Sequence, residues 1–168
     1  MDRADLDDYK RSGYDRGHMA PSGDMADEKS QHESFSLANI IPQDSDNNRH
    51  LWEGIESAVR DLAKRRGELF VVTGPIFYGS ELKRLNGRVL VPTYIFKAIY
   101  DPGKNEAAAY LVKNAEGKDY ARISIADLDK LTGLKVFPKL PGNTKAMDLP
   151  KPKMRQGKAV ENPNLISR

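Results

Sequence analysis

Apolar residues recur at helical spacing in the second quarter of the chain. The possible N-caps of a helix occupy positions 44–46, and a glycine follows at position 67. Between them the apolar positions are Leu51, Ile55, Ala58, Val59 and Leu62. Spaced three or four residues apart, they form one stripe along a helix of about five turns. The pattern predicts a single amphipathic helix that ends at Gly67, with Trp52 at the edge of its buried stripe.

Shorter apolar runs bounded by turn residues predict a sheet. They are Phe35–Pro42, Leu69–Thr73, Arg88–Val91, Thr93–Tyr100 and Ala107–Val112. Pro42 and the Gly74-Pro75 pair are expected to end their strands, because proline fixes its own φ and has no N–H for the ladder.

The remaining segments are polar and predict loops around these elements. A short alternating piece covers residues 9–18, and a long loop is expected over residues 21–34. Ser124 and Asp127 resemble a capping box, and Gly133 is placed to close the short helix that they begin. From residue 141 the chain is rich in Pro, Lys and Asn. We therefore predict a domain over residues 1–140, followed by a basic, loop-rich tail over 141–168 that hugs the surface or is mobile.

Composition excludes several classes of protein and leaves others open. The chain has 168 residues, 39% of them apolar, which suits one domain with its own core. It has no cysteine, so disulfides, thiolate catalysis and cysteine metal sites are excluded. The mean hydropathy is −0.65, and no apolar run approaches the length of a membrane span. We expect no interaction with a membrane and, from the acidic start, no export signal. A net charge of +3 permits a polyanionic partner but decides nothing.

A histidine two residues from an arginine is the strongest sign of chemistry in the chain. His18 and Arg16 lie in the run Asp15-Arg16-Gly17-His18, and a neutral imidazole beside a fixed cation suits attack on a phosphodiester. No phosphate-binding glycine loop, zinc-protease motif or serine-nucleophile motif occurs. The three histidines lack the spacing of a closed zinc site.

Three polar residues lie on one flank of the predicted helix. At 100° per residue, Asn48, Glu56 and Arg60 can face one groove beside the apolar stripe. On one continuous helix, positions 48 and 56 are about 12 Å apart along the axis. We therefore expect that only one of them contacts a bound ion directly and that the other acts through water. In the plainest alternative, Asn48 is a first-turn capping residue, and Glu56 and Arg60 form an ordinary pair one turn apart.

Several ordered motifs together resemble those of a known family. They are Asp15-Arg16-Gly17-His18, Asn39 with Ile40-Ile41-Pro42-Gln43, then Asn48, Glu56 and Arg60, and downstream Val72–Pro75, Val91–Tyr94 with Lys97, and Leu131–Leu134 with Phe137-Pro138. From Tyr9 to Pro138 the chain resembles the DNA/RNA non-specific endonucleases of the ββα-metal superfamily, which include the Serratia-type nuclease and endonuclease G. The resemblance implies an α+β fold, with a ββα-metal core on a mainly antiparallel sheet flanked by helices.

The resemblance also implies roles at a catalytic site. His18 would be the general base, and Asn48 would be the single protein ligand of Mg²⁺, with Mn²⁺ as a substitute and Glu56 holding one of the waters of the ion. Arg16 and Arg60 would contact phosphate oxygens. In the same comparison, Asn39 would position the base or the phosphate, and Asp15 would have the structural role of holding the loop.

The function implied is a Mg²⁺-dependent, sugar-nonspecific endonuclease that leaves 5′-phosphate ends. Its partners would be the backbone phosphates of DNA and RNA, together with an inhibitor or immunity protein, and its location secreted or periplasmic. Members of the family carry several dozen residues ahead of this motif, whereas 14 precede Asp15 here. A fragment, a variant whose missing strands come from elsewhere, and a minimal variant all remain open. Two other functions also remain open, a non-cleaving module that binds nucleic acid or an inhibitor, and a nuclease toxin or effector domain.

Overall fold

Five α-helices and ten strands make up the described part of the chain. The computed structural model describes residues 3–166, so the first two residues of the acidic start and the last two of the tail lie outside it. The helices are α1 (Leu6–Tyr9), α2 (Glu28–Glu33), α3 (Ser45–Arg49), α4 (Leu51–Arg66) and α5 (Ile125–Thr132). The strands are β1 (Tyr14–His18), β2 (Ile40–Asp44), β3 (Phe70–Ile76), β4 (Arg84–Leu85), β5 (Val89–Leu90), β6 (Tyr94–Asp101), β7 (Glu106–Lys113), β8 (Asp119–Ile123), β9 (Lys145–Ala146) and β10 (Val160–Glu161). Among the described residues no helix is long and apolar enough to cross a membrane.

A six-stranded sheet forms the centre of the fold, and helices cover both of its faces. Its strand order is β10-β8-β7-β6-β3, with β9 also paired to β7, and the long neighbours β3, β6, β7 and β8 are antiparallel. Side chains alternate across the sheet, so Ile95 and Ile99 of β6 pack beneath α4, while Phe96 and Ala98 pack in the cluster that contains α5. This arrangement confirms the predicted α+β class with a mainly antiparallel sheet.

A smaller unit precedes this sheet and carries the Asp15–His18 motif. β1 and β2 form a separate antiparallel pair in which Asp15 lies opposite Gln43 and His18 opposite Ile40. α3 follows β2 directly, because Asp44 ends the strand and caps the helix by accepting from the Asn47 N–H. Two strands and a helix are thus linked as a ββα unit.

The prediction of one continuous helix after Asp44 was wrong at a single position. His50 has φ −123° and ψ −79°, and this separates α3 from α4. Its ring Nδ1 lies 2.9 Å from Oδ1 and 3.1 Å from the carbonyl oxygen of Asp46, so the side chain bonds back to the preceding turn. The common helical wheel for residues 48–62, and the 12 Å separation read from it, therefore do not apply. The predicted end at Gly67 is confirmed, with φ +90°.

Several predicted strand and loop boundaries also differ from the structure. The run Phe35–Pro42 is a strand only from Ile40, because a 3-10 turn occupies Leu37–Asn39. Pro42 lies within β2 and not at its end, and β3 continues through Gly74-Pro75. Both strands have one neighbour, and an unpaired edge tolerates a residue without an N–H. The expected loop 21–34 contains a 3-10 turn, Ser22–Asp24, and helix α2.

Residues after 141 are loop-rich, as expected, but they contribute to both faces of the sheet. Met147 and Leu149 are 5% and 1% exposed in the α4 core, and Leu165 is buried with α5. β9 and β10 each pair in parallel with a strand of the sheet. Trp52 is fully buried at the centre of the α4 core and not at its edge. The domain boundary at residue 140 stays a prediction.

Candidate active site

Asp15 joins β1 to α3 through four hydrogen bonds. Its carboxylate accepts from Ser45 Oγ at 2.8 Å and from Asn48 Nδ2 at 3.0 Å. Arg49 donates from two nitrogens, Nε at 2.9 Å and a terminal nitrogen at 2.8 Å. Burial raises the pKa of Asp15, but the bonds from Asn48, Arg49 and Ser45 outweigh it and lower the pKa overall. The structure therefore gives Asp15 the structural role expected for it.

This contact fixes the orientation of the Asn48 amide. An ionised carboxylate can only accept hydrogen bonds, so the amide nitrogen of Asn48 must face Asp15. The carbonyl oxygen of the same amide then points elsewhere and has no hydrogen-bond donor among the described residues. Asn48, Asp15 and Arg16 line the same open groove of about 510 Å³. An oxygen that suits a hard cation is thus left without a donor on a residue that lines the groove beside the guanidinium of Arg16.

Gly17 lies between Arg16 and His18 at a position where no side chain fits. A Cβ at this residue would lie 2.1 Å from Gln43 Oε1 and 2.6 Å from Gln43 Cβ. Gln43 is fully buried and donates to Asn47 Oδ1 at 2.9 Å, and Asn47 in turn donates to the Lys113 carbonyl at 3.1 Å. This polar network packs directly against the strand that carries Arg16 and His18, and it requires glycine at position 17.

His18 ends β1 in a half-buried position. Its ring meets the edge of Phe35, with 4.6 Å between ring centres, and its Nε2 atom is buried without a hydrogen-bond partner in the described chain. Burial lowers the pKa of His18, and the positive charge of Arg16 lowers it further. Both effects favour the neutral imidazole, the form that can accept a proton.

Asn39 holds the chain just beyond His18. Its Oδ1 accepts from the Ala20 N–H at 2.9 Å, and its Nδ2 donates to the carbonyls of Ala20 and Ser34 at 2.8 and 2.9 Å. The Met19 N–H also donates to the Asn39 carbonyl at 2.9 Å. Both ends of the amide are therefore engaged with backbone, and Asn39 fixes the chain that follows His18.

Glu56 and Arg60 lie one turn apart on α4 beside a turn from the segment between β1 and β2. Arg60 donates to Asp24 Oδ1 at 3.0 Å and to Ser57 Oγ at 3.3 Å. Burial raises the pKa of Glu56 to about 7. The positive charges of Lys97 and Arg60 lower this pKa, and the negative charge of Asp24 raises it. In the described part of the chain, no hydrogen bond joins Glu56 to Asn48.

Lys97 is the residue of this site whose role the sequence did not suggest. It is 1% exposed in β6, donates to Thr73 Oγ1 at 2.7 Å and lies 5.2 Å from the centre of the Trp52 ring. The Trp52 indole N–H has no acceptor at hydrogen-bond distance in residues 3–166, although it lies near enough to Glu56 to favour the carboxylate. The sequence included Lys97 among the motifs that resemble the family, as a single lysine inside the apolar run Tyr94–Tyr100, but assigned it no role.

Most of the predicted site residues thus fall into two groups, and the residues within each group share a groove or act on one another. Asn48 and Arg16 share the groove beside Asp15, and the charge of Arg16 acts on His18. Glu56 and Arg60 form the second group with Lys97 and Asp24. Within residues 3–166, no cluster of three or more histidine or acidic side chains could enclose a metal ion.

Known proteins are similar to this chain both in sequence and in fold. The family model of the DNA/RNA non-specific endonucleases matches residues 1–143. Nuclease C1 of Cunninghamella echinulata var. echinulata is 37% identical over 161 residues, which cover 84% of this chain and 64% of that protein. The mitochondrial nuclease EXOG of Homo sapiens is 34% identical over 80% of this chain and 42% of its own length.

A solved structure with the same fold comes from a complex. It is the crystal structure of EndoG bound to EndoGI, described as showing the mechanism of EndoG inhibition, and it aligns with a TM-score of 0.76 and 28% identity. The alignment covers 84% of this chain and 66% of that one. The chain therefore spans between about two fifths and two thirds of the length of these relatives.

Proposed function

Since the chain belongs to the DNA/RNA non-specific endonuclease family, we propose that it hydrolyses the phosphodiester bonds of DNA and RNA. The observation that carries the proposal is the orientation of Asn48, whose carbonyl oxygen has no donor among the described residues and which lines the same groove as Arg16. The names of the relatives support nuclease activity in general. That Mg²⁺ is the metal, that His18 is the base and that the products carry 5′-phosphates are parts of the proposal, and the residues described above support them.

His18 is the general base of this proposal. Because Nε2 is buried, Nδ1 is the ring nitrogen that can meet a water molecule. The neutral ring takes one proton from that water, and the water oxygen bonds to phosphorus. The bond from phosphorus to the 3′ oxygen then breaks, the departing oxygen takes a proton from solvent to become a 3′-hydroxyl, and the phosphate stays on the 5′ side. Asn39 supports this step by fixing the backbone that follows His18.

The residues fit a divalent cation that keeps most of its waters. Asn48 offers one free oxygen, and the described residues contain no acidic cluster that would replace the hydration shell. Mg²⁺ dehydrates reluctantly and suits such a site. When bound, it would stabilise the charge that develops on the phosphate and on the departing oxygen. Glu56, as a carboxylate, would accept hydrogen bonds from a water of the ion.

Two arginines supply fixed positive charge for the phosphate. Arg16 is exposed at the groove, and its planar fork of donors matches phosphate oxygens. Arg60 uses two donors on Asp24 and Ser57 and retains others for a phosphate. Contacts of this kind recognise the backbone and carry no base sequence, so they agree with activity on both DNA and RNA.

Cleavage assays test the proposal directly. The chain is incubated with supercoiled plasmid and with RNA, in Mg²⁺, in Mn²⁺ and in chelator, beside His18→Ala and Asn48→Ala. We expect the metal to support cleavage of both substrates, the chelator to abolish it, and the products to carry 5′-phosphates that a ligase can join. Intact substrates with every metal would contradict the proposal. Salt-dependent binding that both variants retain would then favour a non-cleaving module.

We also propose an inhibitor protein as a partner of the same face. The similar EndoG structure is a complex with the inhibitor EndoGI. A protein of that kind is expected to cover the groove beside Arg16 and Asn48, and it would protect a cell that holds this chain as a toxin or effector. Direct binding of a cognate inhibitor protein to the wild-type chain and to Arg16→Ala, measured by calorimetry, tests this partner, and equal affinities for the two proteins would contradict it.

A further inference from the structure

Lys97 is a buried amine that ordinary core packing does not explain. Burial lowers the pKa of Lys97, and the nearby carboxylate of Glu56, followed by that of Asp24, acts in the opposite direction and favours the ammonium form. It lies on the face of β6 that packs beneath α4, between Ile95 and Ile99, and is 1% exposed. The hydrogen-bond partner of its ammonium is the neutral hydroxyl of Thr73, at 2.7 Å. Among the described residues it forms no ion pair with a carboxylate.

Such an arrangement costs folding free energy. An ammonium taken out of water loses its hydration, and one hydroxyl and one aromatic face replace that hydration only in part. In other proteins, apolar side chains of similar volume often replace buried charges without loss of stability. The charge at position 97 is therefore better explained by the neighbouring site than by the core.

The neighbouring site contains one carboxylate that needs a positive charge. Trp52 and Glu56 lie one turn apart on α4, and Lys97 lies over the ring of Trp52. The charged groups that act on Glu56 are Lys97 from β6, Arg60 from α4 and Asp24 from the 3-10 turn. Arg60 and Asp24 are paired at 3.0 Å, so their charges largely offset one another. Lys97 is then the cation near Glu56 whose charge no paired carboxylate offsets among the described residues.

We propose that Lys97 is a positioning residue of the nuclease site, whose ammonium, held by Thr73 and the Trp52 ring, keeps Glu56 in the carboxylate form. The inference rests on the proposed function, since it assigns Glu56 to that site. As a carboxylate, Glu56 accepts hydrogen bonds from a bound water, whereas the protonated acid would donate one of its own. Because the pKa of Glu56 is raised and that of His18 is lowered, Glu56 sets the loss of activity toward acid pH.

Lys97→Met is the decisive variant because methionine keeps the length of the side chain and removes its charge. Cleavage of plasmid is measured from pH 5 to pH 9. We expect the acid side of the profile to move up by about one pH unit, which lowers activity at pH 7 about five-fold and lets it recover near pH 9. The melting temperature should stay the same or rise. Lys64→Met, which removes an exposed lysine from α4, should leave both measurements unchanged.

Variants at Thr73 test how the ammonium is held. Thr73→Ser keeps the hydroxyl and should retain the profile of the unsubstituted protein. Thr73→Val removes the hydroxyl and should move the profile in the same direction as Lys97→Met, by a smaller amount. A lower melting temperature for Lys97→Met with an unmoved pH profile would mean that Lys97 serves the core alone, and it would overturn the inference.

A second readout does not depend on cleavage. The carboxyl carbon of Glu56 is followed by NMR titration in the metal-free protein, with and without Lys97→Met. We expect its midpoint to rise in the variant, and equal midpoints would overturn the inference. If the unsubstituted protein cleaves nothing while the midpoint still rises, then the proposed function fails and the electrostatic link between Lys97 and Glu56 stands.

Discussion

The carboxylate of Asp15 accepts a hydrogen bond of 3.0 Å from the side-chain amide of Asn48. The bond joins the first strand of the ββα unit to its helix and fixes which end of the amide faces the groove. Arg49 and Ser45 hold the carboxylate in place from the same helix. The motif that begins at Asp15 thus serves the site in two ways, by carrying Arg16 and His18 and by orienting Asn48.

Asp15→Asn should weaken metal binding more than it weakens the fold. Asparagine can both donate and accept, so it no longer dictates which end of the Asn48 amide faces the groove. We expect the affinity for Mn²⁺ and the cleavage rate to fall about 10-fold to 100-fold, the usual cost of losing a partner that orients a metal ligand. Calorimetry with Mn²⁺ measures the first effect.

Asp148→Asn is the matched control for that substitution. It removes the same charge from a side chain that is 97% exposed. Equal metal affinities in the two variants would show that net charge, and not the orientation of Asn48, controls binding.

Gly17→Ala should destabilise the protein. The new Cβ would lie 2.1 Å from Gln43 Oε1 and 2.6 Å from Gln43 Cβ, and the fully buried Gln43 cannot move without breaking its bond to Asn47. Overpacking of this kind costs about 1–3 kcal/mol. Urea unfolding monitored by circular dichroism measures the change. Gly142→Ala, where a Cβ meets nothing within 4 Å, is the control, and equal midpoints for the two variants would contradict this explanation.

Much of the scaffold could be predicted from the sequence, because residues close together in the chain determine where these helices and strands begin and end. The end of α4 at Gly67 and the short helix from Ser124 to Gly133 needed only a cap and a left-handed residue, with φ +90° and +69° at the two glycines. The predicted strand Ala107–Val112 is confirmed within β7. Such features depend on residues that are close together in sequence.

The elements that were predicted wrongly or missed depend on contacts between distant residues, or on side chains that compete with the backbone for hydrogen bonds. The break at His50 arises because the imidazole bonds back to Asp46, which apolar periodicity does not reveal. β8 was not predicted, since its short stretch Asp119–Ile123 becomes a strand through pairing with β7. The site residues stay predictions, and the Thr73 and Trp52 partners of Lys97 come from other elements, so local pattern does not reveal them.

Leu149→Ala should show that the segment after residue 141 belongs to the core. Leu149 is 1% exposed and packs in the cluster that contains Trp52 and Tyr110, and the Tyr110 hydroxyl donates to the Pro150 carbonyl. Truncating a buried leucine to alanine costs about 2–5 kcal/mol. Val160→Ala, at a side chain that is 52% exposed, should change the free energy of unfolding by less than about 1 kcal/mol. Similar losses for both variants would contradict the assignment.

Arg16→Met should raise the pKa of His18. Burial lowers that pKa first, and the positive charge of Arg16 lowers it further, so removing the charge leaves burial alone and makes protonation easier. The effect on activity follows because the neutral ring is the base. A raised pKa keeps imidazolium populated to higher pH, so the neutral form that accepts a proton is lost earlier as the pH falls.

NMR titration of the His18 ring protons measures the midpoint in both proteins, without metal or substrate. A His18 midpoint that stays unmoved or falls in Arg16→Met would mean that Arg16 does not act on the base, and its role would then be limited to the phosphate.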